Sequence, residues 1–314
     1  MAVVIANCTI CGNVALWVGG MLADFSSPTV INCTFSGNFA VRDTGGMGID
    51  GSMPTLTNCT FTNNSAGWSG GGMFNGEDGN PTLTNCTFSG NSAGDRGGGM
   101  YNGEDSNPTM TNCTFTGNSA LNRGGGMYNS TEAEPTMLNC TFSKNWAGQT
   151  GGAMFNYDCE PIILTNCILW GDRPDEIDGE GQFSITITYS DIQGGCPDTG
   201  NIDTDPCFAE PNNGDYHLKS QAGRWDANEG RWTKDDVTSL CIDAGDPATP
   251  IGYEPFPNGG IINMGVYGGT AEASKSYFGE PVCEVIVAGD INGDCIVNLK
   301  DIAFLAFHWL EDHQ

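Results

Sequence analysis

The chain has 314 residues, among them 46 glycines and 14 cysteines, and 38 acids against 11 bases leave a formal net charge of −27. Such an acid excess excludes a nucleic-acid-binding or anionic-membrane surface, which needs clustered Lys and Arg, and makes cations the natural counterpart. No apolar run is long enough to span a bilayer, and residues 1–10 lack the basic segment and apolar stretch of a signal peptide.

The first feature along the chain is a ladder of Asn-Cys pairs, with cysteines at Cys8, Cys33, Cys59, Cys86, Cys113, Cys140 and Cys167, stepping by 25, 26 and then 27 residues. Phe35, Phe61, Phe88, Phe115 and Phe142 keep the same step, as do Met21, Met47, Met73, Met100, Met127 and Met154. A fixed period of this kind means one structural unit stacked on copies of itself. Residues 54–80 serve as the type rung. Cys59 and Phe61 alternate with Thr60 and so share one face. Leu56 is out of phase with them, which predicts a bend at Thr57-Asn58. Asn64 and Ala66 follow, and then the run Gly70-Gly-Gly-Met-Phe-Asn75.

About three short strands per rung are expected, with Leu, Cys, Phe and Met pointing inward and rungs stacked in register at roughly 4.8 Å. The columns Cys59, Cys86, Cys113; Phe61, Phe88, Phe115; and Asn75, Asn102, Asn129 are read as structural. Asn in a bend tolerates the left-handed conformation and bonds the Asn above and below. Glycine triplets permit a tight corner. In-register thiols are read as small buried hydrophobes, since a zinc site needs ligands that converge. Asn58, Asn85 and Asn112, each in Asn-Cys-Thr, are candidate glycosylation sites. The seven cysteines off the ladder suggest a secreted protein with a few disulfides.

The pattern resembles right-handed parallel β-helix proteins. More narrowly, Phe88-Ser-Gly-Asn-Ser-Ala93 followed by Gly97-Gly-Gly-Met100 is similar to the repeat of polymorphic outer membrane proteins of the chlamydial type. The resemblance covers residues 1–170 and implies an all-β right-handed parallel β-helix, without implying an activity. Residues 171–277 break the 27-residue step and are expected to form irregular further rungs and loops. Their order Asn213-Gly-Asp-Tyr-His-Leu218, Cys241-Ile-Asp-Ala-Gly-Asp246 and Asn263-Met-Gly-Val-Tyr-Gly-Gly269 resembles the C-terminal part of surface β-helix proteins of planctomycete-like bacteria. That likeness implies cell-surface anchoring. Arg224-Trp225 and Arg231-Trp232 form either a sugar-stacking patch or a loop packed on the body.

Residues 278–314 carry a ligand motif. Asp290, Asn292, Asp294, Asn298 and Asp301 stand at loop positions 1, 3, 5, 9 and 12 of a calcium loop, with the Ile296 carbonyl at position 7. The segment resembles one half of a dockerin module, with a small C-terminal helix from Ile302 and calcium as the cofactor. It departs from that pattern in having Cys295 where glycine makes the turn, and the shorter Asp301 at the last position. Cys283 and Cys295 are a candidate disulfide.

Two functions are weighed. The first is a non-enzymatic, extracellular or cell-surface structural or adhesive protein, a homo-oligomer that associates head to tail into a filament or surface layer, with a glycan or surface partner left open. The alternative is a polysaccharide lyase or glycoside hydrolase acting on acidic glycans, which needs carboxylates beside a basic residue in one groove. Arg42, Arg96, Arg123 and Lys144 are the rungs' bases, and Arg96 and Arg123 recur at the repeat step, as do Glu77/Asp78 and Glu104/Asp105. The sequence favours the first, and expects no enzyme.

Overall fold

A computed structural model describes residues 3–159, 161–279, 289 and 296–303. They fall into two compact units, residues 1–205 with Met264–Val266, and residues 206–263 with the chain from Tyr267.

The first unit is a parallel β-solenoid. Each regular rung contributes four strands, in the type rung Thr55–Thr57, Thr60–Thr62, Ser65–Ala66 and Met73–Asn75. Across rungs these build sheets A and B with eight strands each, sheet C with six and sheet D with seven. The extra strand beyond the expected three is Ser65–Ala66, too short to stand out as an alternating pattern. Rungs pair in register, Phe61 against Phe35 and Phe88, and Met73 against Met47 and Met100. The bend anticipated at Thr57-Asn58 is there. Asn58 has φ 53°, and the left-handed conformation recurs at Asn7, Asn32, Asn85, Asn112, Asn139 and Asn166.

Stacking places like on like. The rings of Phe35, Phe61, Phe88, Phe115 and Phe142 lie 4.6–4.7 Å apart and within 5° of parallel, and all are fully buried. Leu56 and Leu83, the cysteines from Cys33 to Cys167, and the column Met47, Met73, Met100, Met127 and Met154 fill the same core. Each buried Phe contributes about 1.5–3 kcal/mol by removal of apolar surface from water.

Polar columns run through the interior as well. Asn38, Asn64, Asn91, Asn118 and Asn145 form a buried amide ladder in which each Nδ2 donates to the next Oδ1 at 2.9–3.0 Å. The same Nδ2 atoms of Asn64, Asn91, Asn118 and Asn145 donate to the carbonyls of Phe35, Phe61, Phe88 and Phe115, all at 2.9 Å. A second buried ladder joins Asn75, Asn102, Asn129 and Asn156 at 2.6–2.9 Å. These bonds satisfy amides that would otherwise be buried at a cost, save Asn75 Oδ1 and Asn156 Nδ2 at the two ends of the second ladder.

The first ladder ends on a carboxyl. Asp172 Oδ1 accepts from Asn145 N and Nδ2 at 2.6 and 2.7 Å, and Glu176 Oε1 accepts from the Gly171 and Asp172 amides. Asp172 Oδ2 and Glu176 Oε2 are buried without a hydrogen-bond partner. Burial pushes both carboxyls up, and Asp172 is raised further by its neighbour Glu176.

Where irregular rungs were expected over 171–277, Ile177–Glu180, Ile185–Thr188 and Asp191–Ile192 still stack on sheets D, A and B. In the second unit the pairing turns antiparallel, Phe208–Glu210 with Asp215–Leu218, and Arg224–Asp226 with Arg231–Thr233. His217 is buried there with Nδ1 2.6 Å from Asp215 Oδ1. Arg224 bridges Asp215 and Asp235. Trp225 and Trp232 are cross-strand partners, edge to face at 5.7 Å.

Phe88→Ala is expected to cost about 3–5 kcal/mol in urea unfolding, the usual value for a fully buried aromatic; a loss below 1 kcal/mol would refute a ring column that holds the stack. The carboxyl pair sets a pH dependence. Both groups are raised in the folded state, so their contribution is fully present below the ordinary carboxylate range and is lost as pH rises through the raised values. Asp172→Asn continues the amide ladder, and should flatten that decline and add about 1–3 kcal/mol at neutral pH. Urea titrations at a series of pH values read the slope, and an unchanged slope rejects the assignment.

Candidate functional site

The outer face of sheet D is where the rungs stop being bland. Alternation puts Met73 and Asn75 inside and Phe74 outside, and register aligns Phe74, Tyr101, Tyr128 and Phe155. Their rings stack at 4.7, 5.3 and 5.5 Å. The residue immediately before each glycine run is carried to the edge of this column. There Ser69, Arg96, Arg123 and Thr150 are joined in register by single parallel bridges. The turn depends on glycine. Gly97 and Gly124 sit at φ 64° and 68°, and a Cβ on either would come within 2.5 Å of the carbonyl of Met100 or Met127.

The arginines lie on the rings. The Arg96 guanidinium is 5.1 Å above Tyr128 and its Nη1 donates to Tyr128 Oη at 3.3 Å. That of Arg123 is 4.7 Å above Phe155 and pairs with Glu180. Covered in this way, Tyr128 and Phe155 are 1% exposed, while 41% of the Arg96 side chain and 28% of Arg123 reach solvent. Burial pushes the Tyr128 hydroxyl up to about 12. Arg42 sits between Trp17 and Trp68, at 4.3 and 5.1 Å.

One rung breaks the column. Outward from Leu22 to Phe74 the register reads Leu22, Gly48, Phe74, and at Gly48 a cleft of about 410 Å³ opens. It is lined by Trp17, Leu22, Asp43, Asp50, Phe74 and Glu77 among others. Backbone geometry does not demand glycine here: Gly48 lies outside the left-handed region, and an added Cβ would meet only side-chain atoms of Leu22 and Thr44, at 3.1 and 3.4 Å. Asp43 is half-buried. Burial raises its carboxyl, against the opposing pull of the Ser69 backbone and Arg42. Of the exposed large apolar residues, Trp17 and Leu22 line this place, and Trp68 lies on the other side of Arg42 from Trp17.

A second hollow of about 490 Å³ is lined by Asp105, Glu132, Glu134 and Asp158 with Asn107 and Gln182. It contains part of the recurring acids noted in the sequence. Among the described residues no three His, Cys, Asp or Glu side chains converge as a metal site.

The other candidate residues are placed as follows. Cys59, Cys86 and Cys113 are buried free thiols in one column. The Cys59 thiol is pushed up by its hydrogen bond with Cys86 and then by burial, and Cys140 is raised by burial. Asn75, Asn102 and Asn129 are the inward amide ladder. Asn58 and Asn85 are exposed, their amide nitrogens donating to Asn32 and Asn58 at 3.1 and 3.2 Å. That of Asn112 instead donates to the Val266 carbonyl at 2.7 Å.

Of the calcium-loop positions, Asp290, Asn292 and Asp294 lie outside the described residues, as does the Cys283–Cys295 pair. Ile296, Asn298 and Asp301 are described, and open the helical residues 299–303. Asn298 Oδ1 accepts from Lys300 N at 2.8 Å, Asp301 Oδ2 accepts from Asn298 N at 2.6 Å, and Asn298 Nδ2 donates to the Ile296 carbonyl at 3.0 Å. This is the reciprocal pattern of a capping box. Calcium here stays an expectation.

The aromatic column of sheet D is the feature sequence reasoning missed. Its signal was available, since the residue after each inward methionine must point outward and is aromatic in four successive rungs.

A family model for the right-handed β-helix region matches residues 1–170 and again 75–196. The chain belongs to that family. A model described as disaggregatase related matches residues 188–245. No curated protein matches. Among solved structures, the chain is similar to the crystal structure of pectate lyase Pel9A, with 12% identity, 82% of this chain and 72% of that chain covered, and a TM-score of 0.40. The expectation of a chain that is not an enzyme is corrected by this finding, because the solved protein it is similar to is an enzyme. At such identity the likeness carries no activity across. No helix among the described residues is long and apolar enough to cross a membrane.

The buried ladder thiols from Cys33 to Cys167 are expected to resist an aromatic disulfide reagent in the native protein, where Cys8 and Cys11 are the exposed thiols, and to react on unfolding in guanidinium. Rapid native labelling of Cys86 or Cys113, read by mass spectrometry of peptides, would contradict the buried column.

Proposed function

We propose that this β-helix protein depolymerises an acidic polysaccharide, as a lyase or a glycoside hydrolase, with the polymer lying along the outer face of sheet D. One observation carries the reading. In a chain of net charge −27, three of the five basic residues before Pro206 (Arg42, Arg96, Arg123, Lys144 and Arg173) are each laid against an aromatic ring, Arg96 and Arg123 on the sheet D column and Arg42 on Trp17, a wall of the Gly48 cleft. A guanidinium held flat on a ring keeps its edge for a carboxylate, which it binds through two parallel hydrogen bonds. Arg96 and Arg123 are adjacent rungs, so they bracket one anionic group from two sides. Apolar faces of sugar rings fit the Phe74 face turned toward Gly48, which no ring of the column covers, and the exposed Trp17 and Trp68.

Cleavage needs proton transfer beside this platform. Bond breaking at a glycosidic oxygen calls for a carboxyl that keeps its proton and a second carboxylate to activate water or take a proton from carbon. Asp43, raised by burial, is the proposed acid, and Asp50 on the same cleft the proposed base. An extracellular or cell-surface location belongs to this proposal.

The test is incubation with polygalacturonate, alginate and hyaluronan. Release of reducing ends, with or without the ultraviolet absorbance of an unsaturated uronide, is the expected result, and the absorbance separates lyase from hydrolase. The double change Arg96→Ala, Arg123→Ala should lower kcat/KM about a hundredfold, or roughly 2.7 kcal/mol of transition-state stabilisation. Asp43→Asn should reduce kcat with little change in KM. Failure to cut any acidic glycan overturns the proposal.

A further inference from the structure

The face that the proposed function uses is not uniform in charge. Its two halves are joined by Phe74, which is a wall of the Gly48 cleft and also the first ring of the stack that continues through Tyr101 to Tyr128. Arg96 lies over Tyr128 and Arg123 over the next ring. A polymer following the column therefore passes from the cleft to the arginine pair. In the cleft the ionisable side chains are Asp43, Asp50 and Glu77, all carboxylic acids. Arg42, the nearest base, is held between two tryptophans.

An anionic sugar in the cleft would meet the carboxylates of Asp50 and Glu77, which carry its own sign and repel it. An uncharged sugar meets two aromatic walls and carboxylate oxygens that accept hydrogen bonds from its hydroxyl groups. At the arginine pair the preference reverses. There a carboxylate adds a charged partner to two guanidinium groups held by Asp95, Glu180 and the Tyr128 hydroxyl, and an uncharged unit adds none. Gly48 makes the space. Every later rung has an aromatic ring at this position, up to Phe155, and the backbone of Gly48 would accept one.

We infer that the substrate is a heteropolysaccharide in which uncharged and carboxylate-bearing sugar units alternate, with an uncharged unit in the Gly48 cleft and an acidic unit at Arg96 and Arg123. This rests on the proposed function for the location of the polymer, and it narrows the substrate class. A chain of uronates alone would place a carboxylate in the cleft whenever it filled the arginine pair. Discrimination of this kind comes from the repulsive element as much as from the attractive one.

Binding and cleavage test the two readings separately. Isothermal titration of the full chain with oligosaccharides of equal length compares hyaluronan, in which uronate alternates with an uncharged N-acetylhexosamine, with oligogalacturonate, in which every unit carries a carboxylate. The expected result is at least tenfold tighter binding of the alternating oligomer. Gly48→Phe, which continues the ring column, should abolish that preference while leaving residual binding at the arginines. Glu77→Gln should bring the oligogalacturonate closer by about threefold or more. Circular dichroism melting checks that both variants remain folded. Equal or tighter binding of oligogalacturonate by the unaltered protein overturns the inference, and leaves the proposed function standing if acidic glycans are cut. A tenfold preference retained in Gly48→Phe also overturns it, because the cleft would not be its source. Preferential binding without cleavage of any acidic glycan supports the inference about the ligand and defeats the enzymatic reading.

Discussion

Parallel strands stacked in register at about 4.8 Å bring each side chain into van der Waals contact with its counterpart one rung away. Only some side chains gain from meeting themselves. Phenyl rings stack face to face along Phe35 to Phe142, at 4.6–4.7 Å. Asparagine is both donor and acceptor, so an amide column satisfies itself through Asn38 to Asn145. A charge repeated at the same spacing repels its copy. The rung interior therefore carries Phe, Met, Cys and Asn, and charged residues are left to the turns.

Arg96 and Arg123 are the informative exception, since two guanidinium groups stand one rung apart. Each is offset by a carboxylate, Asp95 or Glu180, and by the ring beneath it. Part of each side chain still reaches solvent. The same logic of columns explains why departures from the repeat are the places to look for chemistry. Gly48 interrupts the outer aromatic column and opens a cleft. Asp172 replaces asparagine at the end of the buried ladder, where an amide would have continued it, and meets Glu176 instead.

A rigid solenoid suits action on a polymer, because its long face presents side chains at a constant step and loses little conformational freedom when an extended chain binds. The repeat supplies that scaffold and the glycine corners aim the arginines. A structural or adhesive role draws on the same rigidity. The membership of the right-handed β-helix family settles the scaffold, and function rests on the side chains grafted upon it.

Most of the fold was legible in the residues themselves. Period, the inward columns of Cys, Phe and Met, and the bend at Asn58 all follow from alternation and from the conformational tolerance of asparagine, which are local rules. The fourth strand, Ser65–Ala66, was not legible, because two residues make no pattern. Nor was the end of the parallel stacking after Ile192, since strand direction depends on what each strand finds to pair with. Arg96 and Arg123 were visible as recurring bases, but their meaning was not: the glycine turn must fold before a guanidinium lies on the ring one rung away. The cleft at Gly48 is likewise tertiary, a missing side chain between Leu22 and Phe74 that only neighbouring rungs turn into a space. Sequence alone determined that the chain stacks on itself, because identical residues at a fixed step have one good way to meet. Which outward residues gather into a site was decided by the stack, because that gathering is a relation between rungs and is written in no single one of them.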